Sequence, residues 1–189
     1  MMRWIAMAAL LALMIGLGGS ASAQDEAPCC FDPCHAPFDR LLSDDVFSHY
    51  PAPHPASARR PAPPDVRRGD AHLYRTVIRE QAKSGPDFAG HFTIIVIGCG
   101  AGVVCLAIAD ANTGQVFFPP ELRNAEALLM DTGDQDIRAL NYRRDSQLLI
   151  VVGTRNEDPK STGMTSYVWR SGRLHLLRFV PVGELCKGG

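Results

Sequence analysis

The chain has 189 residues, 46% of them hydrophobic and 21% charged, with 19 basic against 20 acidic side chains and a formal net charge of −1. That length fits one domain. A charge balance so close to neutral leaves no footprint for nucleic acid.

Residues 1–23, MMRWIAMAALLALMIGLGGSASA, carry one positive charge at Arg3 and then a long apolar run ending in small residues. Ala21-Ser22-Ala23 matches the A-x-A cleavage pattern, so the stretch reads as a secretory signal peptide cut after Ala23 rather than as a membrane anchor. Cys29 follows Ala27-Pro28, not the small-residue box that lipid attachment requires. The expected location is therefore periplasmic or secreted, with no membrane span after cleavage. The remaining 166 residues carry eighteen basic and twenty acidic side chains and all six cysteines, Cys29, Cys30, Cys34, Cys99, Cys105 and Cys186. An even number in an exported chain points to disulfides, with fifteen full pairings open.

Residues 24–69 read as a cysteine- and proline-rich N-terminal segment, holding nine of the fourteen prolines. PAPHPASARRPAPPD within it has the composition of a semi-extended linker. Before it, Phe38, Leu41, Leu42 and Val46 fall on one side of a short helix. Cys29-Cys30-Phe-Asp-Pro-Cys34-His35 has donors for zinc or copper(I). Adjacent cysteines turn poorly toward one ion, so no metal is assigned. A disulfide from this cluster to Cys186 is the preferred expectation, with the cysteine left open.

A single β-rich domain is expected over residues 70–189. Order is expected from Asp70, as N-cap of one amphipathic helix of about thirteen residues with an apolar stripe of Leu73, Tyr74, Val77 and Ile78. From His91 the period changes. HFTIIVIG, VVCLAIAD, QVFF, IRALNY, QLLIVVG, MTSYVWR and LHLLRFV are short strands separated by turn chemistry. Residues 119–136 are ambiguous between a short helix over 125–130 and an irregular connection. The expected fold is mainly β (α+β): an antiparallel meander of about seven strands with the N-terminal helix packed on it.

IIVIGCGAGVV resembles the start of a dinucleotide-binding strand–turn–helix, with Gly98 and Gly100 in place. Val103 stands where the third glycine belongs, and VVCLAIAD is a strand rather than the helix a pyrophosphate needs. No cofactor is assigned. The glycines instead suit a tight hairpin that brings Cys99 and Cys105 within disulfide reach. Closing so small a loop stabilises by roughly 2 kcal/mol. A redox pair would want Cys-x-x-Cys at a helix start, which is not the spacing here.

PDFAGHFTIIVIGCGAGVVCLAIADANTGQV resembles a group of small exported bacterial domains of unknown function. Their pattern runs N-F-A-G-H-Y, an apolar strand, G-C-G, a second cysteine, and D-x-x-T-G-x-V. The matches here are Phe88 to His91, Gly98 to Gly100, Cys105, Asp110, Thr113, Gly114 and Val116. Asp87, Phe92 and Ile97 depart from it, where Asn, Tyr and an aromatic are usual. The resemblance covers about 30 residues and implies a shared fold without an activity.

Four residues form a candidate functional surface: His91, Asp110, Tyr167 and Trp169. His91 cannot serve Cys99 as a base, because eight residues along one strand is about 26 Å. Its plainer role is a hydrogen bond to the backbone of the PDFAG turn. Asp110 before Ala-Asn-Thr-Gly reads as turn chemistry, as do Asp131, Asp134 and Asp136. Tyr167 and Trp169 share a strand face, which is a binding platform if it is open. No catalytic set is legible. The sequence points to a non-catalytic binding module for a protein or cell-envelope partner. Its rivals are an exported hydrolase using His91 with a carboxylate, and a periplasmic enzyme inhibitor.

Overall fold

The computed structural model describes residues 38–53, 60–128 and 138–185. Helices α1 (Phe38–Leu41), α2 (Asp44–Ser48), α3 (Gly69–Leu73) and α4 (Arg75–Ala82) precede the sheet. Eight strands follow: β1 (Phe92–Gly100), β2 (Val103–Asp110), β3 (Val116–Phe117), β4 (Asn124–Ala127), β5 (Leu140–Tyr142), β6 (Leu148–Arg155), β7 (Gly163–Arg170) and β8 (Arg173–Pro181). A 3-10 turn (Pro159–Ser161) joins β6 to β7, and α5 (Val182–Leu185) follows β8. The sheet order is β1-β2-β4-β6-β7-β8, with β3 also on β2 and β5 also on β6. Every ladder is antiparallel. The fold is the mainly β meander expected, with one more strand.

The added strand is β4, where a short helix or irregular connection was expected. Asn124-Ala-Glu-Ala has good helix formers, but it fills a slot between two ladders. Residues 124–126 pair with β2 on one side and 125–127 with β6 on the other. Two ladders and the burial of Ala125 outweigh a weak local helix preference. The slot is narrow: a Cβ on Gly153 would lie 1.9 Å from the Glu126 carbonyl oxygen.

The expected single helix over 70–82 is two. Its backbone leaves helical geometry at Tyr74 (φ −98°, ψ 19°), the N-cap of α3 is Arg68, and Asp70 sits in the first turn. The break interrupts the 3.6-residue period, so Leu73 stands 66% exposed instead of joining the stripe.

Alternation along the strands sorts the core into three layers. The inner face, with Ile94, Leu106, Leu149, Val151, Tyr167 and Trp169, packs into one cluster. The sheet curls around it far enough for Phe92 of β1 to meet Trp169 of β7, ring centres 5.5 Å apart. Outside β1 and β2, Ile95, Ile97, Ala107 and Ala109 are covered by Ala71 and Ile78. Outside β6 to β8, Leu148, Ile150, Met164 and Val180 are covered by Phe47 and Leu185.

The segment read as a linker takes part in this packing before Asp70. Leu41, Leu42 and Val46 pack against the outer cluster around buried Phe47, and Val66 is buried on the opposite side. Ala62 N–H donates to Ala111 O and Asp65 N–H to Gly114 O, each at 2.7 Å. The signal segment 1–23, Cys29, Cys30, Cys34, His35, Cys186, Asp131, Asp134 and Asp136 lie outside the described residues. No described helix is long and apolar enough to cross a membrane.

Candidate functional site

The FAGH corner is built by its backbone. Phe88 and Phe92 exchange backbone hydrogen bonds at 3.0 and 2.9 Å. Between them, Ala89 (φ 43°) and Gly90 (φ 86°) turn left-handed and aim their N–H groups outward. Ala89 donates to Ser146 O at 3.1 Å and Gly90 to Arg144 O at 2.6 Å. The corner thereby ties the start of β1 to the turn between β5 and β6, and leaves His91 opposite the end of β2.

There His91 Nε2 lies 3.8 Å from Asp110 Oδ1. That is too long for a hydrogen bond. Asp110 is held by its own turn: Oδ1 accepts from Asn112 N–H and Oδ2 from Thr113 Oγ1–H, both at 2.8 Å. Thr113 Oγ1 also accepts from Gln115 N–H at 3.2 Å. The turn chemistry expected of Asp110 is present. The hydrogen bond expected of His91 is not: its Nδ1 is buried without a partner, because the PDFAG backbone groups are spent on Phe92 and on Arg143 to Ser146. A base, a carboxylate and a hydroxyl stand close together here. The carboxylate and hydroxyl are committed to the turn, so the geometry braces the corner rather than activating a nucleophile.

Two clefts lie near this corner. One of about 460 Å³ is lined by Asp65, Arg67, Arg68, Thr113 and Gln115 among others. Its Arg67 grips Asp65 through Nε and Nη2 at 2.8 and 2.7 Å, which holds the Asp65 carboxyl down at about 2. The other, about 290 Å³, is lined by Ala52, Gly90, Arg144 and Asp145. Neither is lined by His91 or Asp110. Among the described residues no three His, Cys, Asp or Glu side chains are grouped to hold a metal.

Cys99 and Cys105 form the expected disulfide, with Cα atoms 5.7 Å apart. They close an exposed hairpin tip at a bulge in the β1–β2 register. A strand follows the glycines, as expected, so the tip is not a phosphate cradle.

The open aromatic platform is corrected. Tyr167 and Trp169 do share a face, but they are 2% and 3% exposed. The curl of the sheet lays Phe92 and Phe117 edge-on against Trp169 at 5.5 and 5.4 Å. Closure depends on β1 and β3, which pattern within β7 cannot reveal.

The exposed chemistry lies on β8 instead. The main path of the sheet ends at β1 and β8, with β3 and β5 as short side strands on β2 and β6. β1 is sealed by side chains: Gln81 both donates to Val96 O (2.6 Å) and accepts from Val96 N–H (2.8 Å), and Asp87 Oδ1 accepts from Ile94 N–H at 2.8 Å. Burial raises the Asp87 carboxyl above its ordinary value, against the opposing pull of its hydrogen bonds from Ile94 N–H and Tyr142 Oη–H. Burial, with the Asp87 charge, pushes its neighbour Tyr142 up to about 12. Among the described residues no side chain bonds the backbone of β8. Of the three large apolar side chains exposed among the described residues it carries two, Leu176 (59%) and Leu177 (41%). A bulge at Leu177 shifts its register against β7.

Beside β8, on the inner face, lies a polar group that sequence reasoning missed. Arg155 at the end of β6 donates from Nη1 to Tyr167 Oη at 2.8 Å and lies over the rings of Tyr167 and Phe179. Glu121 accepts from Arg173 Nε and Nη2 at 3.0 and 2.7 Å. Burial alone would raise the Glu121 carboxyl, and Arg173 brings it below its ordinary value. These residues come from four places in the chain, and no spacing links them.

No family model matches the chain, and neither a curated protein nor a solved structure matches it.

Proposed function

We propose that this chain is an exported, non-catalytic binding module that captures an acidic, extended segment of a partner protein along β8. The asymmetry of the two sheet edges carries this reading. An uncapped edge is a template for another strand. β1 is sealed by Gln81 and Asp87, whereas among the described residues no side chain seals β8, which carries exposed leucines. Charge selects the occupant. Between Pro159 and Gly183 there is no Asp or Glu, while Lys160, Arg170, Arg173 and Arg178 are all exposed. A second copy would oppose arginines to arginines, and the bulge at Leu177 further guards against self-pairing. An acidic segment meets complementary charge. An enzyme inhibitor is the special case in which the captured segment belongs to an exported enzyme.

The test is fluorescence anisotropy on the full chain purified after export, with a labelled peptide of alternating glutamate and valine as probe. Saturable binding that weakens with salt and is lost in Leu177→Pro is expected, with cleavage after Ala23 seen in the same sample. Absence of binding by the wild type would overturn the reading, as would self-association through β8 in sedimentation.

A further inference from the structure

We infer that Arg155 is the specificity-determining residue of this surface and seats one side-chain carboxylate of the incoming segment. The inference rests on the β8 reading above and names the group that β8 recognises.

Arg155 is a half-buried cation without a counter-ion among the described residues. No described carboxylate lies within 4.0 Å of its guanidinium, and the nearby acid, Glu121, is engaged by Arg173. Its Nε is buried without a partner, and so is Oγ1 of Thr165, which stands in register with Phe179 and is fully buried. Removing a charge from water is costly unless it is paired and hydrogen-bonded. The aromatic rings supply part of that compensation, with Cζ 5.2 Å from the Phe179 ring centre and 5.9 Å from that of Tyr167. Tyr167 also accepts from Nη1, which fixes the orientation of the plane. A planar fork held in this way, with donors to spare, matches a carboxylate in two-pronged fashion.

The position places that carboxylate on the incoming segment. Arg155 starts from β6 but crosses β7, so that its charge lies over Phe179 of β8. A segment paired outside β8 runs about 4.8 Å further on. A glutamate side chain on its inner face spans that gap. Leu176 is exposed on the same face as Phe179 and supplies apolar contact alongside. The segment expected is therefore one with a glutamate among apolar residues, and the arginines of the hairpin act on its net charge.

The experiment compares two peptides of identical length on the exported full chain, one alternating glutamate with valine and one glutamine with valine. The wild type is expected to prefer the glutamate peptide by about tenfold or more, the scale of a charge-assisted hydrogen-bonded pair. Arg155→Met should lose most of that preference and keep only the salt-sensitive share supplied by the hairpin arginines, while Arg155→Lys, which keeps the charge without the fork, should recover part of what is lost. Leu177→Pro should lose both peptides. Equal binding of the two peptides by the wild type would overturn both the role of Arg155 and the charge selection along β8, whereas a preference undiminished in Arg155→Met would overturn the role of Arg155 and leave the β8 reading standing. Failure of the wild type to bind either peptide would overturn both. Near-ultraviolet circular dichroism of Trp169 reports whether each variant keeps its core, and Arg155→Lys carries the test should Arg155→Met unfold.

Discussion

At the scale of single residues, Asp87 carries a conflict that can be measured. Its Oδ1 accepts the Ile94 N–H that seals β1, and its Oδ2 stands 3.4 Å from Tyr142 Oη. Burial nevertheless favours the protonated acid and raises its ionisation above the unfolded value of 3.8. The folded state therefore binds more protons than the unfolded state between those two values. Stability falls as pH rises through that window and stays lower above it. Asparagine keeps the acceptor for Ile94 and removes the charge. Asp87→Asn is expected to stabilise by roughly 1 kcal/mol at neutral pH and to be neutral in acid. Urea denaturation across pH checks this, and parallel curves for the two proteins would refute it. His91 and Asp110 were legible as neighbours of a turn. The missing partner of His91 Nδ1 was not, because it follows from where the FAGH backbone groups point.

At the scale of elements, the chain was most readable where burial on both faces imposes its own pattern. β2 covers the stretch read as VVCLAIAD, and β6 to β8 follow the apolar runs and the turns between them. β4 was unreadable because two alanines and a glutamate carry no alternation. Its strand state comes from partners 19 and more residues away along the chain. The linker was misread in a similar way. Its prolines argue against regular structure but not against docking, and the backbone of 62–65 hydrogen-bonds along the Asp110–Gly114 turn. Gly114 makes room for this contact. It has φ 80°, and a Cβ there would lie 2.3 Å from the Pro63 carbonyl oxygen. Gly114→Ala is expected to cost about 1–3 kcal/mol and to release residues 60–68 from the sheet. Thermal unfolding with limited proteolysis at Arg67 and Arg68 measures both effects. An unchanged melting temperature with undiminished protease resistance would show that the docking is not set by this glycine.

At the scale of the whole molecule, one curled sheet holds its aromatic residues inside and covers both outer faces with short helices. That leaves an edge as the place to meet a partner. Tyr167 and Trp169 were a candidate platform on the condition that their face is open, because shared parity is visible in the chain while curl is not. The same curl gathers Glu121, Arg155, Tyr167 and Phe179 and sets them beside β8. The central claim is that this edge is the functional surface. Hydrogen exchange of the exported protein, with and without the glutamate–valine peptide, tests it most directly. Slowed exchange confined to β8 and the Arg155 end of β6 is the predicted result. Slowing at residues 88–92 and 110–114 instead, with β8 unchanged, would place the functional surface at the His91–Asp110 corner and contradict the account.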